Sequence, residues 1–202
     1  SRFHGEFEDA AGFGWSLGNP TFDWTTLIAN KDKEIDRLEK AYRANLERSK
    51  VTIVPERAVL LDTHTVKLAG GNTIQADKIL VATGGWPHLP DLKGAELAIT
   101  SNHTFHLEKL PASIAIIGGG FIALEFAGIF NGLGSKVTVA YRGEQILRGF
   151  DDDLRNDLSD AMRKRGVDIH TNAAPTSIEK AGDKRVLALS NGERLTVDHV
   201  MI

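Results

Sequence analysis

The 202 residues are 42% hydrophobic and 25% charged, enough apolar material for a buried core in one or two domains. A net charge of −3 gives no electrostatic reason to expect nucleic acid or an anionic membrane as a partner, and the longest apolar run, 114–124, is broken by glycines and far short of the roughly 20 residues that span a bilayer. The absence of cysteine leaves these residues without a disulfide, a thiolate metal site or a cysteine redox couple, and the absence of a leader-like N-terminus makes a cytoplasmic protein the expectation.

In chain order, Ile35, Leu38, Tyr42 and Leu46 recur at spacings of three and four, while Lys33, Asp36, Glu39, Lys40 and Arg43 lie off that face. The pattern predicts an amphipathic helix over 32–48 that packs on something. The period then changes over 51–82, where VTIVPERAVLLD, TVKLAG and TIQADKILVAT read as short strands separated by turn signals such as Gly70-Gly71-Asn72. A stretch holding Pro87, Pro90 and Pro111 has no sustained period. It also holds His103 and His106, three apart but without the acidic or cysteine frame of a metal site, so no metal is expected.

Residues 114–125 read IAIIGGGFIALE, an apolar strand running into three glycines and then a helix predicted over 121–133. A strand over 136–141, a helix over 152–164 and short strands from Val167 follow. The order predicts an α/β fold: a doubly wound, Rossmann-like domain preceded by a helix plus β-meander. Residues 66–82 and 187–202 also resemble each other, each running strand, Gly/Asn turn, strand, acidic residue (Asp77, Asp198) and apolar strand. The first copy continues into Ala82-Thr83-Gly84-Gly85 and the second stops within its strand, so a cut chain is the expectation.

A strand followed by Gly118-x-Gly120-x-x-Ala123 gives a tight turn, close backbone approach and close helix–strand packing, which lets a pyrophosphate sit on the free N–H groups of the helix start. A strand–helix turn without ligand remains the alternative. About 20 residues on, where an NAD site places an acid on the ribose, stand Ala140 and Tyr141, then Arg142 and, six residues later, Arg148. Guanidinium groups there favour the 2′-phosphate of NADPH, with Glu144 left as a possible ribose ligand.

The stretch IAIIGGGFIALEFAGIFNGLGSKVTVAYRGEQILRGFD, with ADKILVATGGWPHLP ahead of it, resembles the glutathione reductases of bacterial and plant type within the class I pyridine nucleotide-disulfide oxidoreductases. The resemblance runs over nearly all the chain. It implies a homodimeric enzyme in which NADPH reduces FAD, FAD reduces a cysteine pair, and the pair reduces glutathione disulfide. It also implies that Gly119, Ile122, Glu125, Arg142 and Arg148 contact NADPH, with Gly118 and Gly120 forming the turn. Phe121 takes the place of a tyrosine that lies over the flavin, and Glu125 pairs with a lysine outside these residues. Thr83, Gly84 and the backbone of Ala58 touch FAD, and Tyr42 lies against glutathione disulfide. From the residues alone, Glu125 reads equally as a solvated helix carboxylate and Tyr42 as a core side chain.

The family's FAD glycine motif, cysteine pair and His-Glu relay have no counterpart here, so no catalytic residue is expected within the chain. Residues 1–85 are expected to be the C-terminal part of an FAD-binding domain and 86–202 an NADPH-binding domain with its last strand truncated. The alternatives are a reductase for another disulfide, such as trypanothione, and a stand-alone NADPH-binding module.

Overall fold

A computed structural model describes residues 2–202. Its chain forms two units, one of Ala29–Trp86 and one of the residues up to Ile28 with Pro87–Ile202. The elements in order are α1 (Arg2–Ala10), α2 (Trp24–Arg48), β1 (Ala58–Leu60), β2 (Thr65–Leu68), β3 (Thr73–Gln75), α3 (Ser101–Thr104), β4 (Ser113–Ile117), α4 (Phe121–Gly132), β5 (Lys136–Ala140), α5 (Asp152–Lys164), β6 (Asp168–His170), β7 (Pro175–Ala181), β8 (Lys184–Leu189), β9 (Arg194–Val197) and β10 (His199–Met201).

In the larger unit, β10, β4, β5 and β6 form a parallel sheet in that order, with α4 linking β4 to β5 and α5 lying between β5 and β6. Both faces of this sheet are covered, which is why its strands read as continuous apolar runs and not as alternations. Ile114, Ile116, Val137 and Val139 pack with Leu124, Phe126 and Phe130 of α4 and Met162 of α5. On the alternate residues, Ala115, Ala140 and Val200 pack with Ile178, Leu187, Leu189 and Val197 of the antiparallel meander β7–β8–β9. The doubly wound, Rossmann-like α/β arrangement expected from the sequence is therefore present.

The α5 boundaries match the expected ones because the signals are local: Asp151 accepts from the Asp153 N–H, Asp152 and Asp153 face the positive helix start, and Arg163 and Lys164 close the last turn. Helix α2 starts at Trp24, eight residues before the expected position, because Asp23 caps it through Thr26 N–H at 2.6 Å and Trp24 anchors its first turn. The Trp24 ring stacks on Phe130 with centroids 6.3 Å apart, and its Nε1 donates to Leu107 O at 2.7 Å.

In the smaller unit, β1, β2 and β3 form an antiparallel sheet with Ala58 opposite Leu68 and Thr65 opposite Gln75. Two expectations are corrected there. No residue of α2 is buried, so its amphipathic face does not pack as predicted, and Tyr42 is 67% exposed instead of lying in a core. The runs at 51–55 and 78–83 are not strands. A strand needs a neighbour for its N–H and C=O groups, and no ladder among the described residues includes them; Leu80 stands 89% exposed.

The two similar segments fold alike as far as their hairpins. Leu68 N–H donates to Asn72 O at 2.8 Å and Gly71 N–H to Leu68 O at 3.0 Å; the corresponding bonds at Leu189 and Gly192 are 2.9 and 3.0 Å. Gly71 and Gly192 have φ of 94° and 87°, which explains the glycine in both turns. Past the acidic residue the copies diverge, since β10 pairs with β4 while the residues after Asp77 join no ladder.

Candidate dinucleotide-binding site

The C-terminal end of β4 turns sharply at Gly118, whose φ of +133° only glycine adopts without strain. Its N–H donates to Ala140 O at 2.9 Å, holding the turn against the end of β5. A Cβ at Gly118 would lie 3.5 Å from that of Ala123, so the small residue expected for helix–strand packing does lie against the turn. Gly120 caps α4 through its backbone alone, with no side-chain acceptor over the first N–H groups. A Cβ added there would meet nothing within 4 Å. The helix start thus presents uncapped donors, at the positive end of its dipole, behind an unobstructed approach.

Residues 141–151 run from β5 to α5 and carry the two expected arginines. Ile146 and Leu147 are buried and fix this loop, and Arg155 of α5 pins it further by donating to Ile146 O at 2.9 Å and Gln145 O at 3.1 Å. Leu147 holds a left-handed φ of 54°, rare for a branched residue, while its N–H donates to Gly119 O at 2.7 Å. The arginine loop is therefore bonded directly to the glycine turn. Arg142 and Arg148 are exposed, and the ion pairs among the described residues engage Arg2, Arg37, Arg155 and Arg194 instead. Glu144 is exposed in the same loop.

Tyr141 is the residue that sequence reasoning overlooked. Its ring is seated on Gly119 and Gly143, so close that a Cβ on either glycine would come within 2.7 and 2.5 Å of ring carbons. The available signal was an aromatic two residues before a glycine in the loop, opposite a second glycine in the turn.

The first turns of α4 expose Phe121, Ile122 and Glu125. Phe121 and Glu125 also line a cavity of about 830 Å³ with Leu124, Leu147, Phe150 and Met162, and neither the glycine turn nor the two arginines reach it. In the smaller unit, Tyr42 is on α2, Ala58 opens β1, and Thr83 and Gly84 are in an exposed irregular segment. No hydrogen bond among the described residues joins these four to one another. His103 lies in α3, where its Nδ1 accepts from Thr100 N–H at 3.1 Å to complete a capping box. Among the described residues no group of three His, Cys, Asp or Glu side chains is arranged to hold a metal ion. No helix among them is long and apolar enough to cross a membrane.

An open glycine turn and uncapped helix donors thus share one sheet end with two guanidinium groups that have no ion-pair partner among the described residues, and Ala140 and Tyr141 put no acid at the end of β5. A family profile described as pyridine nucleotide-disulphide oxidoreductase matches residues 4–202. The chain is 45% identical over 201 residues to a glutathione reductase of Burkholderia cepacia, covering all of this chain and 44% of the relative. It is 36% identical over 223 aligned residues to a trypanothione reductase of Trypanosoma congolense, again covering all of this chain and 44% of the relative. The solved structure of the HOCl-induced flavoprotein disulfide reductase RclA from Escherichia coli superposes with a TM-score of 0.83 at 26% identity, covering 90% of this chain and 42% of that one. The chain thus spans less than half the length of the curated relatives it matches.

Proposed function

The chain belongs to the pyridine nucleotide-disulphide oxidoreductases, and we propose that it supplies the NADPH-binding part of an enzyme that reduces glutathione disulfide. The observation that carries the choice of nucleotide is the pair Arg142 and Arg148, both exposed, in a loop bonded to the glycine turn and following a strand end that holds Ala140 and Tyr141 where NAD sites hold an acid. Bound NADPH supplies a hydride. The residues of this chain bind and orient it. The α4 N–H groups beyond Gly120 receive the pyrophosphate, and the two guanidinium groups receive the 2′-phosphate with charge-assisted, fork-shaped donors. Phe121 and Glu125, on the first two turns of α4, form the side turned toward the reacting end, with Phe121 giving an aromatic face and no hydroxyl.

FAD, a homodimer and a cytoplasmic setting come with this reading as properties of a longer protein. Residues 1–85 then form the C-terminal part of its FAD-binding domain, where Ala58, Thr83 and Gly84 touch the flavin and Tyr42 meets the disulfide substrate; residues 86–202 form its NADPH-binding domain. A trypanothione reductase is the second reading, supported by a relative at 36% identity against 45% for the glutathione reductase.

Titration of the 202-residue chain with NADPH and NADH tests the proposal. NADPH is expected to bind more tightly, and the Arg142→Ala/Arg148→Ala variant is expected to lose roughly tenfold or more in NADPH affinity and with it the preference. An unchanged ratio in that variant overturns the assignment.

A further inference from the structure

We propose that Tyr141 is a positioning residue for nucleotide choice: its ring, seated on Gly119 and Gly143, holds the arginine loop against the glycine turn so that Arg142 meets a 2′-phosphate. The inference deepens the NADPH reading and rests on it.

The backbone of Tyr141 is fixed on both sides, its N–H donating to His170 O at 2.8 Å and its carbonyl accepting from Ala173 N–H at 2.9 Å. The ring then has a defined seat. A Cβ on Gly119 would lie 2.7 Å from Cγ and 2.8 Å from Cδ1, against the near half of the ring. A Cβ on Gly143 would lie 2.5 Å from Cε1 and 3.0 Å from the phenolic oxygen, against the far half. Neither glycine has a positive φ, in contrast to Gly118, so their backbones do not call for glycine. The ring does.

Gly119 belongs to the phosphate turn and Gly143 to the arginine loop, so one side chain spans the two. Gly143 is itself held, its carbonyl accepting from Asn172 N–H at 2.9 Å, and the far end of the loop returns to Gly119 through Leu147. Arg142 therefore lies between two pinned neighbours, and the direction of its side chain follows from theirs. The phenolic oxygen has no hydrogen-bond partner among the described residues, which assigns the role to the ring and not to the hydroxyl.

Binding of NADPH and NADH to the 202-residue chain, with a thermal melt of every variant, tests the inference. Tyr141→Ala is expected to lose about tenfold in NADPH affinity while NADH affinity moves less than about twofold. Tyr141→Phe, which keeps the ring, is expected to restore the wild-type ratio. Gly143→Ala should show the same selective loss when Tyr141 is present and add nothing in the Tyr141→Ala background, a non-additivity that marks direct contact. Tyr141→Val, with a β-branched side chain suited to a strand end, replaces the alanine variant in the same comparison if that one fails to fold. Equal losses for both nucleotides, an unchanged ratio, or effects of the two substitutions that multiply would overturn the inference. A wild-type chain without a preference for NADPH would overturn the nucleotide reading and this inference together, whereas a preference that survives every change at Tyr141 removes only the inference.

Discussion

Nδ1 of His170 lies 2.5 Å from Oε2 of Glu193, which ties the last residue of β6 to the turn between β8 and β9. The other ring nitrogen is 2.7 Å from Asp168 Oδ2, so the imidazolium can donate to a carboxylate at each end. Burial of the ring pulls its pKa down, but the hydrogen bonds and charges of Asp168 and then Glu193 outweigh it and hold the pKa above the ordinary histidine value.

A raised folded-state pKa gives stability that is complete below the unfolded value of 6.5 and is lost as pH rises through the folded one. The expected result is that wild type exceeds His170→Gln by about 1 kcal/mol on the acid side, the exposed carboxylates being screened, and that the difference shrinks toward alkaline pH. Urea denaturation of both proteins across that range checks it. Comparing the pair cancels His199, whose burial and whose neighbour Arg185 lower its pKa and so act in the opposite direction. A difference that grows with pH would contradict the assignment.

Asp198 fixes the entry of β10 beside β4. Its Oδ2 accepts from Ser113 N–H at 2.7 Å and from Ser113 Oγ at 3.0 Å, and its own N–H donates to Ser113 O at 3.1 Å, immediately before the pair His199–Ile114. Partial burial raises its pKa, and the Ser113 hydrogen bonds with the Lys184 charge lower it further than burial raises it. Asp198→Ala is expected to cost about 1 to 3 kcal/mol, because a strand-end N–H loses its acceptor. This contribution is complete above the unfolded value of 3.8 and disappears as pH falls through the lower folded value, so wild type and variant should converge in acid. Urea midpoints at neutral and acid pH measure both effects.

How much could be read from sequence depended on whether the deciding contact was local. The glycine turn, α4, β5 and α5 were legible because strand-to-helix glycines, Asp151 with its acidic first turn and the apolar runs of a two-faced sheet lie within short windows. The repeat aligned Asp77 with Asp198 and predicted both hairpins, since Gly71 and Gly192 meet the same conformational demand. It could not show that residues 78–83 would lack the neighbour β10 finds in β4, because pairing is a property of two segments. The early start of α2 depends on Trp24 reaching Leu107, 83 residues away, and the seat of Tyr141 on Gly119 is likewise a tertiary contact. Neither leaves a periodic trace.

The glycines of the turn should separate under substitution. Gly118→Ala places a side chain at a φ of +133° and is expected to destabilise the fold by about 1 kcal/mol or more. Gly120→Val falls at an ordinary φ of −85° with open space around its Cβ, so it should leave the fold intact at the cost of a poorer N-cap residue, about 1 kcal/mol or less. It should nevertheless abolish nucleotide binding by filling the approach to the helix start. Thermal melts paired with nucleotide titration distinguish the two, and a Gly120→Val protein that unfolds without a separate binding defect would mean the turn serves the fold alone.

Local stability should differ between the two units. Among the described residues of 29–86, Leu68 alone is buried, while both faces of the parallel sheet in the larger unit are covered. Strands of three or four residues in a three-stranded sheet with little apolar cover are marginal, and a helix with no buried side chain relies on its own propensity. Amides of β2 and β3 are therefore expected to exchange through local opening, at rates nearly independent of low denaturant, whereas those of β4 and β5 exchange only through global unfolding. Along α2 the protection should be graded. Amides near Leu27, one turn from the Trp24 anchor on Phe130, should exchange more slowly than those near Arg48, where no comparable contact holds the helix. Hydrogen exchange read residue by residue checks both gradients. Protection in β2 equal to that in β4 would show that the smaller unit draws its stability from something other than side-chain burial.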